Sequence, residues 1–289
     1  MAKQKKSSAV KTNKATNKKS TKAAVVNNWI RPTQSNKFNL LSRLNMTLAV
    51  VYAAQAVAIL ILGKAVTLPV VSHYLTTDTL ASQAAGHKVL ALAVRHLFDI
   101  DIRYLIVAFL AVSAVIQLLI ATVGRKSYED NLQKHVNPLR WLDFGISTGI
   151  MFLLIGLLNG IYDASSLMMI FVLVVLLYFM AYLGESKISK LRDRMQILLA
   201  ISLAGVAVWF TVAVYLKSAL FYGAGLSHYV YWLDGSILVI TFCLAINKLQ
   251  SFRAKGKWAD YLFSERLFMF LSFVAKTGLT WLVFAGFLK

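Results

Sequence analysis

A single lysine interrupts the last apolar stretch of this chain. Nine uncharged residues separate Lys276 from Arg266, and twelve separate it from Lys289. A charged amine near the middle of a membrane helix costs ~2.5 kcal/mol or more on insertion scales. Its stem of about 6 Å cannot cover the ~15 Å of helix to either end. Three chemistries resolve the cost: a carboxylate partner, loss of the proton, or covalent modification. An amine that condenses with an aldehyde forms a Schiff base. The structural alternative is an ion pair that only ties two helices together.

The partner such a lysine needs stands in "NPLRWLDFGISTGIM", residues 137–151, where Asp143 is the only acid well inside the apolar segment. Arg140 lies three residues earlier on the same helix face, so a local Arg140–Asp143 pair competes with a role for Asp143 beside Lys276. Pro138 suits the first turn of the helix that would carry both. Side chains lean toward the N-terminus of their helix, which brings Lys276 toward the level of Asp143 if the two helices run in the same direction. Ser272, one turn before Lys276, could hydrogen-bond its nitrogen. Ser147, four residues after Asp143, carries the same possibility, and for both the alternative is a bond to their own helix backbone. Trp209, Phe210, Tyr215, Phe242 and Trp281 could wall an apolar pocket, whereas Tyr229, Tyr231 and Trp232 read as an interfacial belt.

The elements that must position these residues are membrane helices. Of the 289 residues 58% are hydrophobic and 15% charged, mean hydropathy is +0.64, and the apolar residues are blocked into long runs. Spans are predicted over 44–63, 104–123, 138–160, 164–184, 195–216, 227–247 and 264–287, an all-α bundle of seven transmembrane helices within a domain of residues 39–289. Residues 1–38 hold ten Lys/Arg and no acid, a basic and disordered tail whose simplest role is to set topology by contact with membrane lipid. Counting Lys and Arg in alternate connections gives 24 on the N-terminal side and 6 on the other. The N-terminus is therefore expected in the cytoplasm and the C-terminus outside, in the cell membrane. The net charge of +19 follows this bias and does not imply nucleic acid. The first outer loop, about 65–103, is long enough to have structure of its own, such as a β-hairpin. One cysteine, Cys243, excludes an internal disulfide framework.

Seven helices with a lysine in the seventh suggest a retinal protein, and the local residues suggest which kind. "GKWADYLFSERLFMFLSFVAKTGLTWLVFAGFL" (256–288), "NPLRWLDFGIS" in the third span and "TLAVVYAAQAVAIL" in the first resemble heliorhodopsins, from about residue 40 to the end of the chain. The resemblance implies all-trans-retinal on Lys276 as a protonated Schiff base, Asp143 as its counterion with Arg140 one turn before it, and Ser147 and Ser272 beside the Schiff base. It places Gln55 in a polar cluster on the first span. It also implies an inverted orientation, a long first outer loop, a homodimer, and a sensory or regulatory role that would need an unidentified cytosolic partner. This chain departs from the family pattern at four places. Asp143 stands where Glu is usual, Tyr52 where a histidine precedes the first-span glutamine, Ile116 or Gln117 where the second span carries a histidine, and Thr241 where an aromatic contacts retinal.

Outward proton pumping needs titratable groups on both sides of the Schiff base. After Asp143 the third span holds no further acid, and Asp234 reads as a wet interfacial acid near the outer end of span six. A light-gated passive proton conductance is the nearest alternative, and a seven-helix receptor or transporter without retinal is another. No HExxH, nucleophile elbow or phosphate loop supports an enzyme.

Overall fold

The computed structural model describes residues 36–188, 190–223 and 225–289. The basic tail expected over 1–38 lies outside the described residues as far as residue 35. Among the described residues, seven helices are long and apolar enough to cross a membrane: α1 (Asn36–Leu62), α3 (Ile102–Ala121), α5 (Pro138–Leu158), α6 (Ala164–Ser186), α7 (Leu191–Tyr222), α8 (His228–Arg253) and α9 (Tyr261–Val283), the last continued by a π-helical turn, Phe284–Leu288. α1 begins eight residues before the expected 44, inside the stretch read as tail. Asn45–Lys289 forms the compact body that carries the site.

The helix starts are written in the sequence. Asn137 accepts from the Arg140 N–H at 3.1 Å ahead of Pro138 in the first turn of α5. Asp163 caps α6 through the Ser166 N–H at 2.8 Å, and Asp260 caps α9 through the Leu262 N–H at 3.0 Å. At the other end of α5, Gly160 takes φ +87°, a left-handed conformation that costs other residues energy, and turns the chain into α6. α5 packs against both α3 and α6. In its apolar window 72% of the residues are buried, against 17% in α7, so α5 is the central helix and α7 faces lipid. The close α5–α6 packing depends on Gly149, where a Cβ would come within 2.8 Å of the Phe171 ring.

The long loop between α1 and α3 is an antiparallel hairpin. β1 (Thr67–Thr77) pairs with β2 (Leu90–Asp101), from Thr67 opposite Asp101 to Thr77 opposite Leu90, with a bulge at Val70/Val71. A short helix α2 (Thr79–Ala85) forms the tip, capped by Asp78 and closed by Gly86 at φ +66°. The hairpin base is bonded to the bundle end that also holds the C-terminus. Val71 N–H donates to Tyr162 O at 2.9 Å, and Lys64 N–H donates to Leu288 O at 2.8 Å. Arg103 bridges Asp101 to Gly63 O. Two carboxyls here sit below the usual range. The Ser166 backbone N–H holds Asp163 down, whereas burial pushes Asp101 up and its bonds to Arg103 outweigh that push. The helix α4 (Arg125–Gln133) runs between α3 and α5.

Candidate functional site

Lys276 and Asp143 meet. The Lys276 Nζ donates to Asp143 Oδ1 at 2.9 Å and Oδ2 at 3.0 Å, and each residue is 1% exposed. Lys276 stands fifteen residues into α9 and Asp143 five residues into the central helix α5, and burial by the surrounding helices shields the pair from bulk water. Buried unpaired charges are very costly, and mutual pairing with further hydrogen bonds is what makes the arrangement tolerable. The further bonds come from α3. Ser113 Oγ accepts from Lys276 Nζ at 2.6 Å and lies 2.7 Å from Asp143 Oδ1, and the Gln117 amide approaches Asp143 Oδ2 at 3.5 Å. Of the two positions left open in the second span, Gln117 is therefore the one turned toward the pair. The rings of Tyr52 and Phe144 lie 5.5 and 5.6 Å from Lys276 Nζ.

The other expected residues divide. Ser147 does not reach the lysine; its hydroxyl donates to Asp143 O at 2.5 Å, the back-bond common for serine in a helix. Gln55 donates to Thr277 Oγ1 at 3.1 Å and touches the site only through the neighbour of Lys276. Tyr52, Gln117, Arg140 and Ser272 line a small polar cavity of about 10 Å³ beside Asp143, roomy enough for one water. Thr241 bonds back to Ile237 O at 2.8 Å and lines a much larger cavity.

Arg140 makes no pair with Asp143. It lies in a second buried cluster, bonded to Glu185 through Nη2 at 2.9 Å and to Glu265 through Nη1. The reason is reach: the long guanidinium stem leans toward the N-terminus of α5, while the short Asp143 stays at its own level. Lys248 donates to Glu185 Oε1 at 2.9 Å, Trp141 Nε1 to Glu185 Oε2 at 2.5 Å, and Tyr261 to Glu185 Oε1 at 3.2 Å. The guanidinium lies 4.4 Å from the Trp141 ring and 4.6 Å from Phe268. Two cations thus neutralise two carboxylates, with Arg140 Nε a buried donor left without a partner among the described residues. Sequence reasoning missed Glu185, Glu265 and Lys248 because each sits at a span boundary, where charges are ordinarily solvated. It missed Ser113 as well, although Ser113 and Gln117, four apart, are the polar pair inside an otherwise apolar α3.

The large cavity, about 660 Å³, lies among α6, α7 and α8 and is closed toward α5 and α9 by Trp141 and Phe268. That is mid-range for a site that holds a small organic molecule. Lys276 does not line it; Phe144 stands between, 5.4 Å ring to ring from Tyr178 and 6.1 Å from Phe268. Asp234 does line it and is 6% exposed, so the expectation of a wet interfacial acid is wrong. Its helix turns the carboxyl inward, where Asn159 donates to Oδ1 at 3.2 Å.

This architecture has solved counterparts. The transmembrane domain of the rhodopsin phosphodiesterase of Salpingoeca rosetta superposes with a TM-score of 0.62 at 12% identity, covering 88% of this chain and 86% of that one. A light-driven proton pump from Leptosphaeria maculans gives 0.53 at 10% identity, covering 87% and 94%. At such identities the likeness establishes the rhodopsin fold alone. Curated proteins offer no match to the sequence. The heliorhodopsin family model matches residues 41–288, which takes in the whole lysine–aspartate site and the buried Arg140 cluster. The chain belongs to the heliorhodopsin family.

Proposed function

We propose that the protein is a light-sensing or regulatory membrane protein that binds all-trans-retinal through Lys276 as a protonated Schiff base, with Asp143 as counterion. The observation that carries this reading is the buried contact of the Lys276 amine with Asp143 and Ser113 in mid-span. The residues fit the group. A primary amine can condense to the imine, with a carboxylate at 2.9 Å and a hydroxyl oxygen at 2.6 Å as acceptors for its proton, and an aromatic-walled cavity of about 660 Å³ begins one ring away. When bound, retinal supplies light absorption and a change of shape on isomerisation. The chain's own residues do the rest. Asp143 and Ser113 hold the proton on the nitrogen. Phe144 separates the nitrogen from the cavity. Trp141 and Phe268 border the cavity on one face and the Arg140–Glu185–Glu265–Lys248 cluster on the other, so a change of shape in the cavity bears directly on that cluster.

Two features favour a sensor over a pump. The carboxylates Glu185 and Glu265 are committed to Arg140 and Lys248. From Asp143 to the end of α5 no second ionisable residue follows. The small polar cavity lined by Tyr52, Gln117, Ser272 and Glu265 supports a second reading, a passive light-gated proton conductance. The charge bias supports a cytoplasmic N-terminus in the cell membrane. A homodimer and a cytosolic partner engaging the basic connections complete the proposal.

The test is the absorption spectrum of protein expressed with and without all-trans-retinal. A visible band that hydroxylamine bleaches and that Lys276→Ala abolishes is expected. Survival of the band in Lys276→Ala would sink the assignment.

A further inference from the structure

The large cavity has a polar end that the proposed chromophore site does not use. Along α8 its lining runs from Tyr231 to Lys248, about 26 Å at 1.5 Å per residue. At the end near Tyr231 the Asp234 carboxyl is buried, and only one of its oxygens is bonded, accepting from Asn159. Asp234 Oδ2 has no partner among the described residues, nor has Asn159 Oδ1, nor the Trp209 indole N–H that lines the same cavity. Two acceptors left unmatched side by side at one buried end is an arrangement that native proteins rarely tolerate without a reason. Asn159 lies sixteen residues beyond Asp143 on α5, about 24 Å along the helix. That separation exceeds the length of retinal, so a molecule fixed to Lys276 does not satisfy Asp234. Phe210 and Phe242, which line the same cavity, are 68% and 62% exposed on the lipid side of α7 and α8, giving a bilayer molecule a way in.

We propose that this end of the cavity is a second site, which takes an apolar membrane molecule ending in a hydroxyl. The hydroxyl donates to Asp234 Oδ2, while the hydrocarbon body lies along the apolar lining between α7 and α8. A neutral hydroxyl supplies the donor that Oδ2 lacks. A methyl ether cannot donate, and a carboxylate would face Asp234 with like charge. The site stands apart from Lys276, and its fate does not depend on the retinal reading.

The probe is radiolabelled farnesol, with its methyl ether as the matched ligand that accepts but cannot donate. Binding is measured on the full chain in lipid nanodiscs, in wild type, Asp234→Leu and Asp234→Asn. A hydrogen bond to a buried carboxylate predicts about tenfold tighter binding of farnesol than of the ether in wild type. Asp234→Leu is expected to abolish that preference, and Asp234→Asn, which keeps an acceptor oxygen, to retain part of it. In Asp234→Leu the retinal-dependent absorption band serves as the check on folding. Equal binding of farnesol and ether in wild type, a preference that survives Asp234→Leu, or farnesol that displaces the visible chromophore would each overturn the second site. Absence of a visible band in every form would refute the retinal reading and leave the farnesol comparison to decide this one.

Discussion

The contact between Lys276 and Asp143 makes a quantitative demand on the protein without retinal. Each group is 1% exposed, and they meet at 2.9 Å with Ser113 as the only other side chain within 3 Å of the amine among the described hydrogen bonds. Lys276→Met leaves an aspartate buried without its cation, and Asp143→Asn leaves an amine buried without its anion. Removing one member of a buried pair costs about 3–5 kcal/mol, while replacing both is close to neutral, because desolvation of the charges is relieved along with their attraction. Independent effects would therefore sum to about 6–10 kcal/mol in the double variant, and fully coupled ones leave it near wild type, an interaction energy of about 6–10 kcal/mol in magnitude. The assay is reversible unfolding by steric trapping in bicelles, on retinal-free protein, for wild type, both single variants and the double. Additivity of the single effects to within ~0.5 kcal/mol would refute the pairing, since that is the behaviour of sites that do not touch.

Three further outcomes follow from the geometry. Ser113→Ala is expected to shift the visible absorption maximum, whereas Ser147→Ala leaves it in place, because only Ser113 touches the Lys276 nitrogen; the spectra of the two variants decide this. Glu185→Gln removes one of two carboxylates facing Arg140 and Lys248 and is expected to cost about 3–5 kcal/mol of stability, whereas Glu129→Gln, an i, i+4 surface pair with Arg125, costs under ~1 kcal/mol. At the hairpin base, Asp163 and Asp101 have folded values below their unfolded ones, so their stabilisation is present above the carboxylate range and is lost as pH falls through it. Hydrogen-exchange protection of the Val71 amide, bonded to Tyr162 O, is therefore expected to fall below pH ~4; protection unchanged down to pH ~3 would contradict the sign.

The sequence by itself determined the membrane helices and the two residues at the centre of the site. Length and hydropathy are local properties, so seven spans are legible from runs of apolar residues, and a lysine or aspartate inside such a run is conspicuous because lipid penalises it. The caps Asn137, Asp163 and Asp260 emerged only in the structure, although each acts on backbone just two or three residues away. Residues at span boundaries were not legible. Glu185, Glu265 and Lys248 look like ordinary interfacial charges in one dimension, and only the convergence of α5, α6, α8 and α9 buries them around Arg140. The same convergence takes Arg140 away from Asp143, although the two share a helix face. Ser113 became a partner of Lys276 because α3 packs on α5 at that level, and Asp234 became a buried acid because α8 turns it toward Asn159. Which neighbour a side chain finds across a helix interface depends on axial offset and rotation between helices, and no spacing within one helix encodes either.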